Sequence, residues 1–163
     1  MMVIILNIAA QCREAMIVNY SIEWYVEDQV LYVKHWGATQ PEDVREQMEA
    51  MNQQLDLSAG PSIHVIIDLS AVTKALSVKD FPKAFAHFKT HPKYRWTMMV
   101  GQKDPLVRFA STVATNLFRA PLRTFPTNAE AVAFLKSIDP AIDWSKANPP
   151  VLERPIPAMA IGA

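Results

Sequence analysis

Residues Ile63–Leu69 read Ile-His-Val-Ile-Ile-Asp-Leu, and Arg95–Val100 read Arg-Trp-Thr-Met-Met-Val. The first run is apolar on both alternations except at His64 and Asp68. A strand covered on one face alternates apolar and polar residues, whereas one apolar on both sides sits centrally in a sheet covered on both faces. These two runs are therefore expected to lie side by side and parallel, each leading into a helix that doubles back over the sheet.

The flanking segments extend the pattern. Upstream, Ser21–Glu27 and Val30–Trp36 are rich in aromatic and β-branched residues, which suit a half-buried pleated surface. The Glu27–Gln29 connector, containing Asp28, is short enough for a hairpin, and Gly37 is expected to end the second strand. A helix should follow, with Thr39 as N-cap, Glu42 at the capping-box spacing, and Val44, Met48, Met51 and Leu55 as its buried stripe. Gly60–Pro61 should stop it.

Downstream of Leu69, residues Ser70–Ser77 read as a loop. The next helix carries Phe81, Phe85 and Phe88 on one face. Pro82 is acceptable only in a first turn, so Asp80 is the expected N-cap, and Pro92 marks the end. After Gly101, Asp104–Pro105 offers a cap followed by proline, with Leu106, Ala110, Val113 and Leu117 as the buried stripe. Leu122–Phe125 is a short strand. Thr127 and Glu130 form a second capping box, with Ala131, Leu135 and Ile138 facing inward.

The order β-β-α-β-α-β-α-β-α predicts an α/β domain over residues 20–139. Its sheet should have four to five mostly parallel strands with an N-terminal antiparallel hairpin strand, and about four helices. Residues 1–19 form an extension. Residues 140–163 hold five of the twelve prolines, which predicts an extended tail without a regular core element, either loose or draped over a neighbour.

Composition bounds the function. The chain has 163 residues, 16 basic and 16 acidic side chains, and half its residues are apolar. That fits one domain and excludes bulk disorder and coiled coil. A single cysteine, Cys12, rules out an internal disulfide framework and fits a reducing compartment. The apolar run Met1–Leu6 is far short of the roughly 20 residues a membrane span needs, and nothing basic precedes Arg13. A cytoplasmic protein is expected. Met16, which opens a strand-like run directly, is an alternative start to Met1.

The layout, together with Asp68-Leu69-Ser70-Ala71-Val72 closing the central strand, resembles the STAS superfamily. More narrowly it is similar to the SpoIIAA-like branch related to bacterial anti-sigma-factor antagonists. The resemblance covers residues 20–139. It implies a small α/β domain that binds partner proteins or small ligands, with no catalytic constellation and no cofactor. Members of that branch carry Asp-Ser-Ser-Gly at the start of the following helix, with the second serine phosphorylated. The corresponding stretch here is Leu76-Ser77-Val78-Lys79. Ser77 aligns with the first serine and Val78 with the acceptor, so a phosphorylation switch is not expected.

Ligands of open α/β sheets bind beyond the carboxyl ends of the strands. That rule collects Trp36, Asp68, Ser70, Thr73, Ser77, Gly101, Gln102, Asp104 and Thr127 on one candidate rim for a ligand or partner. Simple structural roles compete: Asp104 and Thr127 as caps, Gly101 as a turn, Asp68 as a loop anchor. Phe81, Phe85 and Phe88, beside Lys79, Lys83 and Lys89, form a core stripe or the lid of an apolar pocket.

His87 and His91 have metal-ligand spacing, but no zinc-protease glutamate or paired cysteine accompanies them, so no metal is expected. His64 reads as a hydrogen-bonded structural histidine. A Ser70 or Ser77 nucleophile lacks a Gly-x-Ser-x-Gly elbow, and no Walker or dinucleotide motif is present.

Charge is unevenly placed. Residues 23–56 hold eight acids and two bases, a net of −6, and residues 74–123 hold ten bases and two acids, a net of +8. Such asymmetry can orient an acidic partner or two copies of the chain. A pI near 6.9 argues against nucleic acid. The leading expectation is a non-enzymatic domain for protein interaction or self-association, with a dimer expected. The alternative is a binder of a small apolar or amphipathic anionic, lipid-like ligand at the rim and the Phe81–Phe88 helix. A third is a hydrolase-type enzyme with Asp68 as acid or base.

Overall fold

The computed structural model describes residues 19–101 and 121–157. Five strands form one sheet in chain order: β1 (Tyr20–Val26), β2 (Val30–Ala38), β3 (Ile63–Lys74), β4 (Tyr94–Val100) and β5 (Leu122–Phe125). β1 pairs antiparallel with β2, and the other three pairs are parallel. The described helices are α1 (Pro41–Leu57), α2 (Phe81–Phe85) and α3 (Asn128–Ile138).

The two deciding segments do run side by side in the same direction, with Val65 opposite Thr97 and Asp68 opposite Val100. Because spatial order equals chain order, right-handed crossovers carry α1 and α2 onto the same face. The predicted helix from Asp104–Pro105 and the rim residues Gln102 and Asp104 lie outside the described residues.

Several boundaries differ from expectation, each for a local reason. Thr39 does not cap α1. Its N–H continues the sheet by donating to the Lys74 carbonyl at 2.9 Å. Pro41, lacking an N–H and with φ preset for a helix, takes the first helical position. Gln40 is therefore the N-cap, and its N–H donates to Asp43 Oδ2 at 2.8 Å.

α1 ends at Leu57, before Gly60. Gly60 is required elsewhere: a Cβ there would lie 1.9 Å from the carbonyl oxygen of Asp28, in the β1–β2 turn. Asp28 itself has φ of 59°, a left-handed conformation that Asp tolerates better than most residues.

The expected Ser70–Ser77 loop is mostly strand. β3 continues to Lys74, pairing Ala71 with Trp36 and Val72 with Gly37. Two irregularities in the β2–β3 ladder, between Lys34 and Trp36 and between Gly37 and Ala38, each accommodate one extra residue on β3, and Gly37 adopts φ of 65° there. α2 is short. A 3-10 turn, Val78–Asp80, leads into it with Asp80 as its N-cap, and Phe88 lies beyond its end. Five residues cannot sustain a helix alone, so packing against α1 holds it.

α3 starts as expected, with Glu130 N–H donating to Thr127 Oγ1 at 3.2 Å. Ala131 and Leu135 are buried, but Ile138, expected to face inward, is 38% exposed in the last turn. The stripe stops there because the chain leaves the helix at Asp139, which His64 holds.

The sheet carries a core on each face. Leu31, Val33, Ile63 and Val65 pack under Met51 and Leu55 of α1. On the other face, Tyr32, Ile66, Met98 and Val100 pack under Ala131 and Leu135 of α3, together with Ile142 and Val151. The Pro-rich segment is thus draped over its own sheet as far as residue 154: its described residues form no α-helix or strand, as expected, yet Ile142 and Val151 join the core. Two 3-10 turns, Trp144–Lys146 and Pro149–Val151, shape it. Asn148 N–H donates to the Tyr25 carbonyl at 2.8 Å, and Arg154 pairs with Glu23 at 2.7 Å.

Candidate functional site

Two places compete for a role: the rim at the carboxyl ends of the parallel strands, and a cavity between the sheet and the α1–α2 layer. At the rim the register brings Trp36 beside Ala71. Gly101 lies against Ser70, where a Cβ on the glycine would sit 2.6 Å from the serine Cβ. Ser70, Thr73, Ser77 and Thr127 are exposed, whereas Trp36 and Asp68 are buried. Ser77 Oγ donates to Asp80 Oδ2 at 2.7 Å, which closes the 3-10 turn.

Asp68 organises this end of the sheet. Its Oδ2 accepts from Tyr32 Oη at 2.6 Å and Asn128 Nδ2 at 3.0 Å, and its Oδ1 accepts from Ser70 N–H at 2.8 Å. Burial alone would raise its pKa, but these hydrogen bonds outweigh burial and hold the carboxyl below its usual range. Burial, with the bond to Asp68, pushes the Tyr32 phenol far up. At 2% exposure, with both oxygens engaged, Asp68 ties β2, β3 and the start of α3 together. That is the loop-anchor role, strengthened into a cross-link between three elements. Tyr32 and Asn128 were missed from sequence because nothing local announces which β2 residue and which helix start will meet Asp68.

The cavity has a volume of about 140 Å³. Ile67, Leu69 and Met99 supply its sheet wall, Val44 and Met48 its α1 wall, and Phe81, Phe85 and Phe88 the opposite side. The Phe81 and Phe85 rings lie against each other, tilted by 38°, with 5.5 Å between centroids. No Lys, Arg, Asp or Glu stands among the described residues of the wall. An apolar protein cavity of about 150 Å³ stays dry and takes up benzene, so this one is large enough for a small organic molecule.

One polar pair interrupts the apolar lining. His35 on β2 and Gln47 on α1 both face the cavity and are both buried. Burial pushes the His35 pKa down to about 4, against the raising effect of a hydrogen bond with Gln47. Gln47 Nε2 donates to Met51 Sδ at 2.6 Å. Burial is what keeps the imidazole neutral, since the interaction with Gln47 favours its charged form. The sequence did hold a signal for this pair. Alternation along β2 puts His35 on the Leu31–Val33 face, and Gln47 lies four residues before Met51 in the buried α1 stripe.

The remaining histidines have structural partners or none of a ligand's geometry. His64 Nε2–H donates to Asp139 Oδ2 at 2.9 Å. His91 accepts from Lys93 N–H at 3.1 Å and donates to Asp56 Oδ1 at 2.9 Å. His87 lies beyond α2, so the helical spacing inferred for His87 and His91 is not realised. Among the described residues no cluster of three or more His, Cys, Asp or Glu could hold a metal ion.

The charge asymmetry is partly satisfied inside the molecule. Lys83 pairs with Glu42 at 2.7 Å. Lys93 Nζ donates to the Leu55 and Ser58 carbonyls at 2.9 and 2.7 Å, at the negative end of the α1 dipole. The basic segment therefore packs on the acidic helix of its own chain.

Four parallel strands with one antiparallel strand at the edge make this an α/β sheet with its helices on both faces. Among solved structures the chain is similar to an uncharacterized protein of the DUF3478 family with a SpoIIAA-like fold from Shewanella loihica PV-4. That match has 23% identity and a TM-score of 0.50, covering 71% of this chain and 91% of that one. It is also similar, at 13% identity and a TM-score of 0.47, to the anti-sigma factor antagonist SpoIIAA in its unphosphorylated form, covering 74% of this chain and 98% of that one. No protein-family model and no curated protein matches the sequence. The fold is SpoIIAA-like. Among the described residues no helix is long and apolar enough to cross a membrane.

Proposed function

We propose that this SpoIIAA-like domain is a non-catalytic binding module whose cavity under Phe81, Phe85 and Phe88 takes up a small, largely apolar molecule. The observation that carries the reading is the cavity itself: about 140 Å³ of space with an uncharged, mostly apolar wall among the described residues. A domain without a ligand role gains nothing from such a void, because unfilled apolar space costs packing contacts. Catalysis has less support, since Asp68 is enclosed and its oxygens are committed to Tyr32, Asn128 and Ser70. The single cysteine supports placing this role in a reducing compartment, the cytoplasm.

A second reading, docking of a partner protein or a second copy at the rim, is favoured by the cluster of exposed Ser70, Thr73, Ser77 and Thr127 around the rigid Asp68 anchor. The two readings separate in one experiment. Native mass spectrometry of freshly purified protein reports subunit number and retained small molecules together. Titration with toluene, followed by methyl NMR, then probes the cavity directly. The ligand reading expects saturable shifts at Ile67, Leu69 and Met99 that a cavity-filling Leu76→Trp variant abolishes. Toluene that leaves those methyl groups unmoved overturns it.

A further inference from the structure

A sheet ends in edge strands, and an edge whose backbone groups are unpaired is a template for another strand. β1 is one edge of this sheet and β5 the other. Trp36 N–H donates to the Asn19 carbonyl at 3.0 Å, and the hairpin register alternates from there. Asn19, Ser21 and Glu23 therefore bond toward β2, while the N–H and C=O groups of Ile22 and Trp24 point outward. Farther along, the chain closes its own edge. Asn148 N–H donates to the Tyr25 carbonyl at 2.8 Å, and Ala147 bridges Val26. No strand among the described residues pairs with the outer side of Ile22 or Trp24.

The usual protections of such an edge are missing from this stretch. Residues Tyr20–Trp24 read Tyr-Ser-Ile-Glu-Trp, without lysine, proline or glycine. Their only charge, Glu23, is paired with Arg154 at 2.7 Å. Ile22 and Trp24 pack on the core under α1 but are only half-buried.

The stretch is also complementary to itself. Only outward-pointing residues can pair across the edge, so an antiparallel second copy must set even-numbered residues opposite one another. With Ile22 opposite Ile22, Trp24 meets Tyr20 of the second copy and Glu23 meets its Ser21. That register forms aromatic cross-strand pairs and opposes no like charges. Sliding to set Ile22 opposite Trp24 brings the two Glu23 carboxylates face to face, which is destabilising. Sliding the other way carries Trp24 past the end of the partner stretch.

We infer that two copies of this chain join through their β1 edges, antiparallel and centred on Ile22, in one continuous sheet. The occupant is a second copy, not an unrelated extended segment, because the residue pattern matches its own reverse. None of residues 20–24 belongs to the cavity wall, so the join is independent of any ligand there.

The full chain with Cys12→Ser is the background for the test. Sedimentation at high protein concentration should give a mass near twice 18.3 kDa. Ile22→Pro removes one outward N–H from each copy and leaves the bonds to β2 in place, a geometry in which an edge strand tolerates proline. Two lost hydrogen bonds should weaken dimerisation about thirtyfold. Under oxidation Ile22→Cys should cross-link to itself, because directly opposed residues lie about 5.5 Å apart between Cα atoms, within disulfide reach. A mixture of Ser21→Cys and Glu23→Cys copies should cross-link too, whereas Glu23→Cys alone should not.

A chain that stays monomeric at every concentration would overturn the inference. A dimer that Ile22→Pro leaves intact and Ile22→Cys fails to cross-link is built elsewhere, which overturns it equally. Cross-linking of Glu23→Cys alone overturns the register centred on Ile22. Should Ile22→Pro fail to fold, the mixture of Ser21→Cys and Glu23→Cys, which keeps Ile22, decides alone.

Discussion

Replacing Asp68 by alanine should destabilise this protein by about 3–4 kcal/mol at pH 7. Three donors converge on the carboxylate: Tyr32 Oη, Asn128 Nδ2 and Ser70 N–H. Hydrogen bonds to a charged group contribute roughly 1.5–3 kcal/mol each, but they are not additive, and removing a buried carboxylate also removes its desolvation cost. The depressed pKa shows that the hydrogen bonds exceed that cost, so the balance favours the intact network. Tyr32→Phe deletes one donor and leaves the other two in place, so about 1.5 kcal/mol is expected.

For a domain of this size, Asp68→Ala should lower Tm by roughly 10 °C. Urea unfolding at a series of pH values supplies the sharper test. A carboxylate with a lowered folded pKa stabilises above its unfolded pKa, and that contribution disappears as pH falls through the folded value. The gap between wild type and Asp68→Ala should therefore be constant near neutrality and narrow below about pH 4. A loss under 1 kcal/mol at pH 7, or a gap that does not narrow in acid, would refute the idea that charge-assisted bonds at Asp68 hold the rim.

Other outcomes follow from particular contacts. His35, with a folded pKa of about 4 against 6.5, stays neutral in the fold while the unfolded chain takes up a proton. Stability should thus drop as pH falls from about 6.5 to 4, by about 3 kcal/mol from this group, with Asp43 and Asp68 as its nearest charges. Urea midpoints of His35→Leu should show a shallower slope across that window, the residual slope coming from His64, whose pKa is also lowered by burial. Gly60→Ala should cost about 1–3 kcal/mol in thermal unfolding, because the new Cβ would meet the Asp28 carbonyl at 1.9 Å. Truncation after Asp139 strips Ile142 and Val151 from the core and Arg154 from Glu23. Each buried aliphatic contributes roughly 1.5–3 kcal/mol, so the shortened chain should melt well below the full one, by circular dichroism. Equal melting temperatures would mean the Pro-rich segment is only draped, not structural.

How much of this was legible beforehand depended on the range over which each signal acts. Periodicity is a local property, and it was enough to mark β3 and β4 as buried, parallel neighbours. Cap chemistry is equally local: Thr127 caps α3 as expected, although the Glu130 carboxylate accepts from the Thr127 hydroxyl rather than closing a capping box on its N–H. Where two local signals competed, the stiffer won: Pro41 displaced Thr39 as the organiser of the α1 start because a fixed φ outweighs a side-chain hydrogen bond. Gly60 was misassigned for another reason. Its role is defined by Asp28, which is distant in sequence, and a helix-breaking residue looks the same whether it ends a helix or clears room for a neighbour.

By itself, the sequence determined the α/β class, the alternation of strands and helices that makes the sheet mostly parallel, and the apolar character of the residues around α2. Those follow from hydrophobic periodicity and chain connectivity, which need no knowledge of what packs where. Tertiary structure alone decided that Asp68 would be enclosed by Tyr32 and Asn128, that the Pro-rich segment would complete the second core, and that a void would remain beside His35. Each of these depends on side chains from distant segments meeting at one point, and on whether the meeting leaves space or fills it. Packing is a property of the assembled layers, and no single stretch of chain carries it.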